Sequence, residues 1–66
     1  MKTAYSICIV RYDTEGEVAS RGPAVVYRDR VAGSDEVRGF IEYDDRFGID
    51  VRKVEISDKA WKALRA

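Results

Sequence analysis

Apolar and polar positions alternate from Thr3 to Tyr12, a stretch rich in Tyr, Ile and Val, and a period of two is the mark of a strand. Tyr5, Ile7 and Ile9 fall on one of its faces and Ala4, Cys8, Val10 and Tyr12 on the other, so both faces are apolar. Asp13, Thr14, Glu15, Gly16 and Glu17 follow as a turn in which Gly16 can take positive φ, returning a second strand antiparallel to the first. That strand is expected from about Glu17 to Val31, with Ala24, Val25, Val26, Tyr27 and Val31 as its apolar content. Gly22 and Pro23 interrupt it, and because proline has no N–H for a ladder they mark a bulge or an edge position.

At Ser34 the period changes. Val37, Phe40, Ile41, Asp44 and Phe47 recur at three and four residues, Ser34 or Asp35 stands where an N-cap belongs, and Gly48 follows as a C′ glycine. The spacing predicts a helix over 35–47, while Gly39 and the β-prone Phe40, Ile41 and Tyr43 also suit a strand over 36–43. Val51, Val54 and Ile56 mark a third strand, and Ser57 or Asp58 caps a short helix over 59–65 that packs Trp61 and Leu64. The order β-β-α-β-α gives a single domain over 1–66 of α/β, or α+β, class. It has an antiparallel sheet of about three strands, one main helix and a short C-terminal helix. One helix covers one face of such a sheet. The second apolar face of the first strand then needs the C-terminal helix, a second copy of the chain or a foreign partner.

Composition narrows what such a domain can do. Its 66 residues are 45% hydrophobic, enough to fold. A domain of about 60 residues, however, buries only ~60% of its unfolded surface and often needs a disulfide, a metal or a partner subunit. The single cysteine, Cys8, closes no intramolecular disulfide and reads as an inert buried hydrophobe, with an intermolecular disulfide as the sharper alternative, and with no His the usual transition-metal ligands are missing. No metal or cofactor is expected, which leaves packing or a homodimer. The apolar run from Ile7 to Val10 is too short for a signal-peptide core or a membrane span, so the expected location is cytoplasmic, with no membrane partner. Twelve basic against twelve acidic residues remove the global basic field of a non-specific nucleic-acid binder and the acidic field of a whole-molecule DNA mimic alike.

Catalytic groups are hard to find. Without His there is no nucleophilic triad, Asp44 and Asp45 diverge by ~100° on the predicted helix instead of sharing a proton, and the five glycines form no phosphate loop. No catalytic residue is assigned, and the chain reads as a non-enzyme. The predicted helix carries Asp35, Glu36, Glu42, Asp44 and Asp45 against Arg38 and Arg46. Spacings of three and four among Asp35, Arg38, Glu42 and Arg46 neutralise part of that charge in surface pairs. A charged, solvated face is the plainer reading of this segment, and the functional one is an acidic ridge, Asp35, Glu42, Asp44 and Asp45, offered to a basic protein surface. Residues 52–66 are basic in balance, so the molecule is dipolar. Arg28 and Arg30, two apart on the second strand, share a face as the residues of a DNA-reading β-ribbon would, but Asp29 and the neutral total weigh against that use. Protection of a strand edge is the plainer role for them.

These features favour a non-catalytic, protein-binding inhibitor that presents Tyr, Arg and acidic side chains. A small dimeric β-ribbon DNA-binding regulator using Arg28 and Arg30 is the alternative. In its make-up over the whole chain, with a strand at Tyr5 to Val10, an acidic segment at Glu42 to Asp45 and no active site, the sequence resembles the small phage-encoded anti-CRISPR proteins. The resemblance implies a protein partner, a CRISPR effector in a bacterial host cell, and inhibition by occluding the DNA-binding surface of a type I surveillance complex. The zero net charge departs from the strongly acidic members of that group and argues against pure DNA mimicry.

Overall fold

The computed structural model of the chain describes residues 1–41 and 44–64. Its elements are β1 (Lys2–Tyr12), β2 (Val18–Arg21), β3 (Val25–Tyr27), α1 (Arg30–Arg38), β4 (Phe47–Ile56) and α2 (Asp58–Ala63). All four strands form one antiparallel sheet in which β1 is central, with β2 and β3 along one side of it and β4 along the other. The α+β class, the antiparallel sheet and the β-β-α-β-α order are as the sequence predicts, β2 and β3 being the two halves of the interrupted second strand.

The interruption is a bulge. β2 pairs Val10 with Arg21 and β3 pairs Ile7 with Val25, so Gly22, Pro23 and Ala24 span the length of only Cys8 and Ile9. The turn before β2 is held by the Asp13 carboxylate, which accepts from the N–H groups of Glu15 and Glu17, and Gly16 has a positive φ of 83°.

The main helix starts five residues earlier and ends nine earlier than the periodicity predicts, over Arg30–Arg38 in place of 35–47, and the second strand ends at Tyr27 instead of Val31. Asp29 decides the matter. Its backbone is extended and its side chain accepts from the Ala32 N–H at 2.7 Å, making it the N-cap in place of Ser34 or Asp35. Gly33 and Val37, one turn apart, are the buried residues of α1, and the helix closes at Gly39. Phe40 and Ile41 follow as a turn, and the residues from Phe47 onward are strand. The three-and-four spacing of Val37, Phe40, Ile41, Asp44 and Phe47 therefore crosses an element boundary. Gly48 is no helix terminator. It lies within β4, where the Tyr12 ring would stand 2.8 Å from a Cβ at that position.

β4 runs against β1 in unbroken register from Lys2 opposite Ile56 to Arg11 opposite Phe47. One face of the sheet therefore carries Tyr5, Ile7, Ile9, Val25, Tyr27, Ile49, Val51 and Lys53, and α1 lies on it. The approach is close: a Cβ on Gly33 would sit 2.6 Å from the Tyr27 ring and 2.7 Å from Ile7 Cδ1. The other face carries Ala4, Ser6, Cys8, Val10, Tyr12, Asp50, Arg52 and Val54. Ser57 caps α2 through its hydroxyl, and Trp61 lies between Lys2 and Arg28, its ring centre 5.3 and 4.2 Å from their cationic groups. The C-terminal helix thus covers the Ala4 end of the second face. The molecule measures 41 × 20 × 15 Å, and its buried apolar core is Ala4, Ile7, Cys8, Val10 and Val37.

Gly33→Ala sets two effects against each other. Alanine favours the helix by about 1 kcal/mol, whereas forcing a methyl against Tyr27 and Ile7 costs about 1–3 kcal/mol. Urea denaturation should show a net loss of stability; a gain would mean that α1 stands off from the sheet.

Candidate functional site

The predicted acidic ridge rests on a helix that has ended before most of it begins. Asp35 is exposed on α1, while Asp44 and Asp45 lie in the loop before β4. Glu42 lies outside the described residues. Asp44 is occupied locally: Oδ1 accepts from the backbone N–H and Nε of Arg46, and Oδ2 lies 3.2 Å from its Nη2. These hydrogen bonds hold the Asp44 carboxyl below the ordinary carboxylate range. Asp45 is exposed beside it. Together with Arg38, Ile41, Phe47, Gly48 and Ile49, Asp44 and Asp45 line an open hollow of about 500 Å³, and Asp35 is not part of it.

Arg28 and Arg30 do not share a strand face. β3 ends at Tyr27, and Arg30 is the first residue of α1. Arg28 is half-buried, stacked on Trp61, and it donates from Nε to the Trp61 carbonyl at 3.0 Å and from Nη2 to the Lys62 carbonyl at 2.9 Å. The last carbonyls of a helix lack partners within it, so this guanidinium caps α2 and fixes it to the sheet. Arg30 is exposed and free of that constraint, but one arginine on a helix is not a ribbon pair.

Two features went unread in the sequence. Beyond α1 the first face of the sheet is open: Phe40 is 75% exposed and Phe47 38% exposed, and with Ile9 and Ile41 they line an apolar hollow of about 290 Å³. On the second face Asp50 Oδ2 accepts from both Arg21 and Arg52 Nε, the latter at 3.1 Å. The bulge makes this possible, because its extra residue sets Arg21 opposite Val10, on the face that Asp50 shares with Cys8. The hydrogen bond from Arg21, aided by the charge of Arg52, holds the Asp50 carboxyl below its ordinary range and raises Arg21 in turn. Ser6, Cys8, Arg21, Gly22, Ala24, Asp50 and Arg52 enclose a smaller hollow of about 220 Å³. Among the described residues no three His, Cys, Asp or Glu side chains converge as metal ligands would.

No protein-family model, curated protein or solved structure matches the chain.

Two outcomes test this arrangement. Arg28→Ala removes the ring stacking and both carbonyl contacts, so it should cost about 1–2 kcal/mol and shift Trp61 fluorescence to the red; unchanged emission would show that Trp61 is held otherwise. Because the folded Asp50 carboxyl is held below its unfolded value, its contribution is complete above the ordinary value of ~3.9 and is lost as pH falls through the lower folded one. In Asp50→Asn the fall in stability below about pH 4 should be shallower than in the parent protein. Parallel acid-unfolding curves would remove Asp50 from the pH dependence.

Proposed function

We propose that this chain is a non-catalytic protein-binding module, an inhibitor that acts by covering a partner's surface with the open end of its α1-side face. The observation that carries this reading is the pair of exposed rings, Phe40 and Phe47, around an apolar hollow with Ile9 and Ile41. Protein contact surfaces commonly combine an aromatic, apolar centre with a charged rim, and Arg38, Asp44 and Asp45 border this centre. Asp45 supplies an exposed acidic contact for a basic partner surface, whereas Asp44 is already engaged by Arg46. The partner that the make-up of the sequence implies is a type I CRISPR surveillance complex, met at its basic DNA-binding channel. An apolar centre fits occlusion of that surface better than imitation of DNA. The DNA-binding regulator is the weaker reading, since Arg28 is committed to Trp61 and the end of α2.

Adding the protein to a purified type I surveillance complex should reduce target-DNA binding, and Phe40→Asp should weaken that inhibition about 30-fold or more, the scale of an interface hot spot. Full DNA binding at saturating protein would remove the CRISPR partner, and an undiminished Phe40→Asp variant would remove the patch. Bare duplex DNA should not be bound. Sub-micromolar, sequence-dependent binding lost in Arg30→Ala would restore the regulator.

A further inference from the structure

The two edges of the sheet differ. One is broken by Gly22, Pro23 and Ala24 into strands of four and three residues. β4, the other edge, is a ten-residue strand with no proline and no irregularity in its register with β1. Among the described residues it pairs with β1 alone, which leaves the outward N–H and C=O groups of alternate residues without a strand partner. A long, regular edge is a template for another strand unless its side chains forbid it.

Near the middle of β4, where a two-fold pairing overlaps longest, the side chains favour one register for such a partner. If the partner is a second β4 related by a two-fold axis, the strands are antiparallel and each face of the sheet continues across the junction, so residues of like parity must oppose each other. An axis at Asp50 sets two carboxylates face to face, and one at Arg52 sets two guanidinium groups face to face. Like charges directly opposed are destabilising. With the axis at Val51, Asp50 opposes Arg52 of the second copy, and the reverse, giving two opposite-charge pairs symmetrically placed about the axis. Asp50 has room for the contact, because Arg21 and Arg52 both bond to its Oδ2 and, among the described residues, its Oδ1 accepts nothing.

The opposite face agrees with this register. Val25 opposes Ile7, and Ile7 opposes Val51, so an axis at Val51 continues the row Val25, Ile7, Val51 into the same three residues of the second copy in reverse order. Ile49 would meet the aliphatic stem of Lys53, and Phe47 would meet Glu55. The row below, Tyr27, Tyr5 and Lys53, runs on to Ile49 and Ile9 of the other copy, at the margin of its open apolar hollow.

We propose that the chain forms a homodimer by antiparallel pairing of β4 with β4 of a second copy, about a two-fold axis at Val51 and with Asp50 facing Arg52 across it. The proposal does not rest on the partner-binding reading, although the junction reaches that patch at Phe47.

Site-specific crosslinking tests the register. In a Cys8→Ala background, Val51→Cys places two thiols on the axis at the Cα spacing of directly opposed strand residues, about 4.5–5.5 Å, within disulfide range. Lys53→Cys places them more than ~13 Å apart along the strands, beyond it. Mild oxidation should therefore give a covalent dimer for Val51→Cys and none for Lys53→Cys. Should the cysteine variants fold poorly, sedimentation of the unaltered protein decides independently. It should show a species of twice the 7.5 kDa chain mass. Arg52→Asp, at an exposed position, should remain folded by circular dichroism while its self-association weakens roughly ten-fold. A monomer at the highest attainable concentration, crosslinking at 53 in place of 51, or a dimer indifferent to Arg52→Asp would each overturn the proposal.

Discussion

Every strand among the described residues bonds to β1, and β1 is apolar on both faces, so the structure depends on covering two faces of one strand with very little chain. A single helix cannot do that. α1 covers one face by bringing Gly33 close enough to Ile7 and Tyr27 that even a methyl group there would force them to shift. The second face is shared between Trp61 of α2 at the Ala4 end, the Tyr12 ring over Gly48 at the other, and charged side chains between them. Among the described residues, Ala4, Ile7, Cys8, Val10 and Val37 alone form the buried apolar core, as expected of a domain near the lower limit for autonomous folding.

Long charged residues therefore act as cover as well as charge. Arg21, Asp50 and Arg52 form a partly exposed ion-pair cluster over the middle of a sheet face where a larger protein would place a helix. Arg28 performs a similar service for α2. This explains why Arg28, which looks available for recognition in a linear sequence, is committed in the folded chain.

How far the fold was legible follows from where each signal resides. The alternation of β1, the Asp13–Glu17 turn, the Gly22–Pro23 interruption and the Ser57 cap are local, and each predicted element exists. The main helix was displaced because Val37, Phe40 and Phe47 have helical spacing across a turn, whereas the Asp29 cap that positions α1 is a single side chain inside a run rich in Val and Tyr. That displacement carried the candidate site with it: the ridge lost its helix, and Arg28 and Arg30 lost their common strand. The Asp50 cluster could not be read at all without the topology. Arg21 and Asp50 are 29 residues apart, and only the extra bulge residue turns the arginine to the correct face.

The pairing of β1 with β4 also orders events in time. Residues 2 and 56 are neighbours across it, so the most extensive ladder among the described residues joins β1 to β4, which is synthesised well after it. A nascent chain can form the β1–β2 hairpin and turn α1 while β1 still has one side bare. Closure starts where Arg11 meets Phe47, across roughly half of the domain, an entropic barrier that places such topologies among the slower-folding small proteins. Until β4 arrives, the apolar central strand is an open edge, and the interval between its synthesis and its closure is when this chain is most exposed to misassociation.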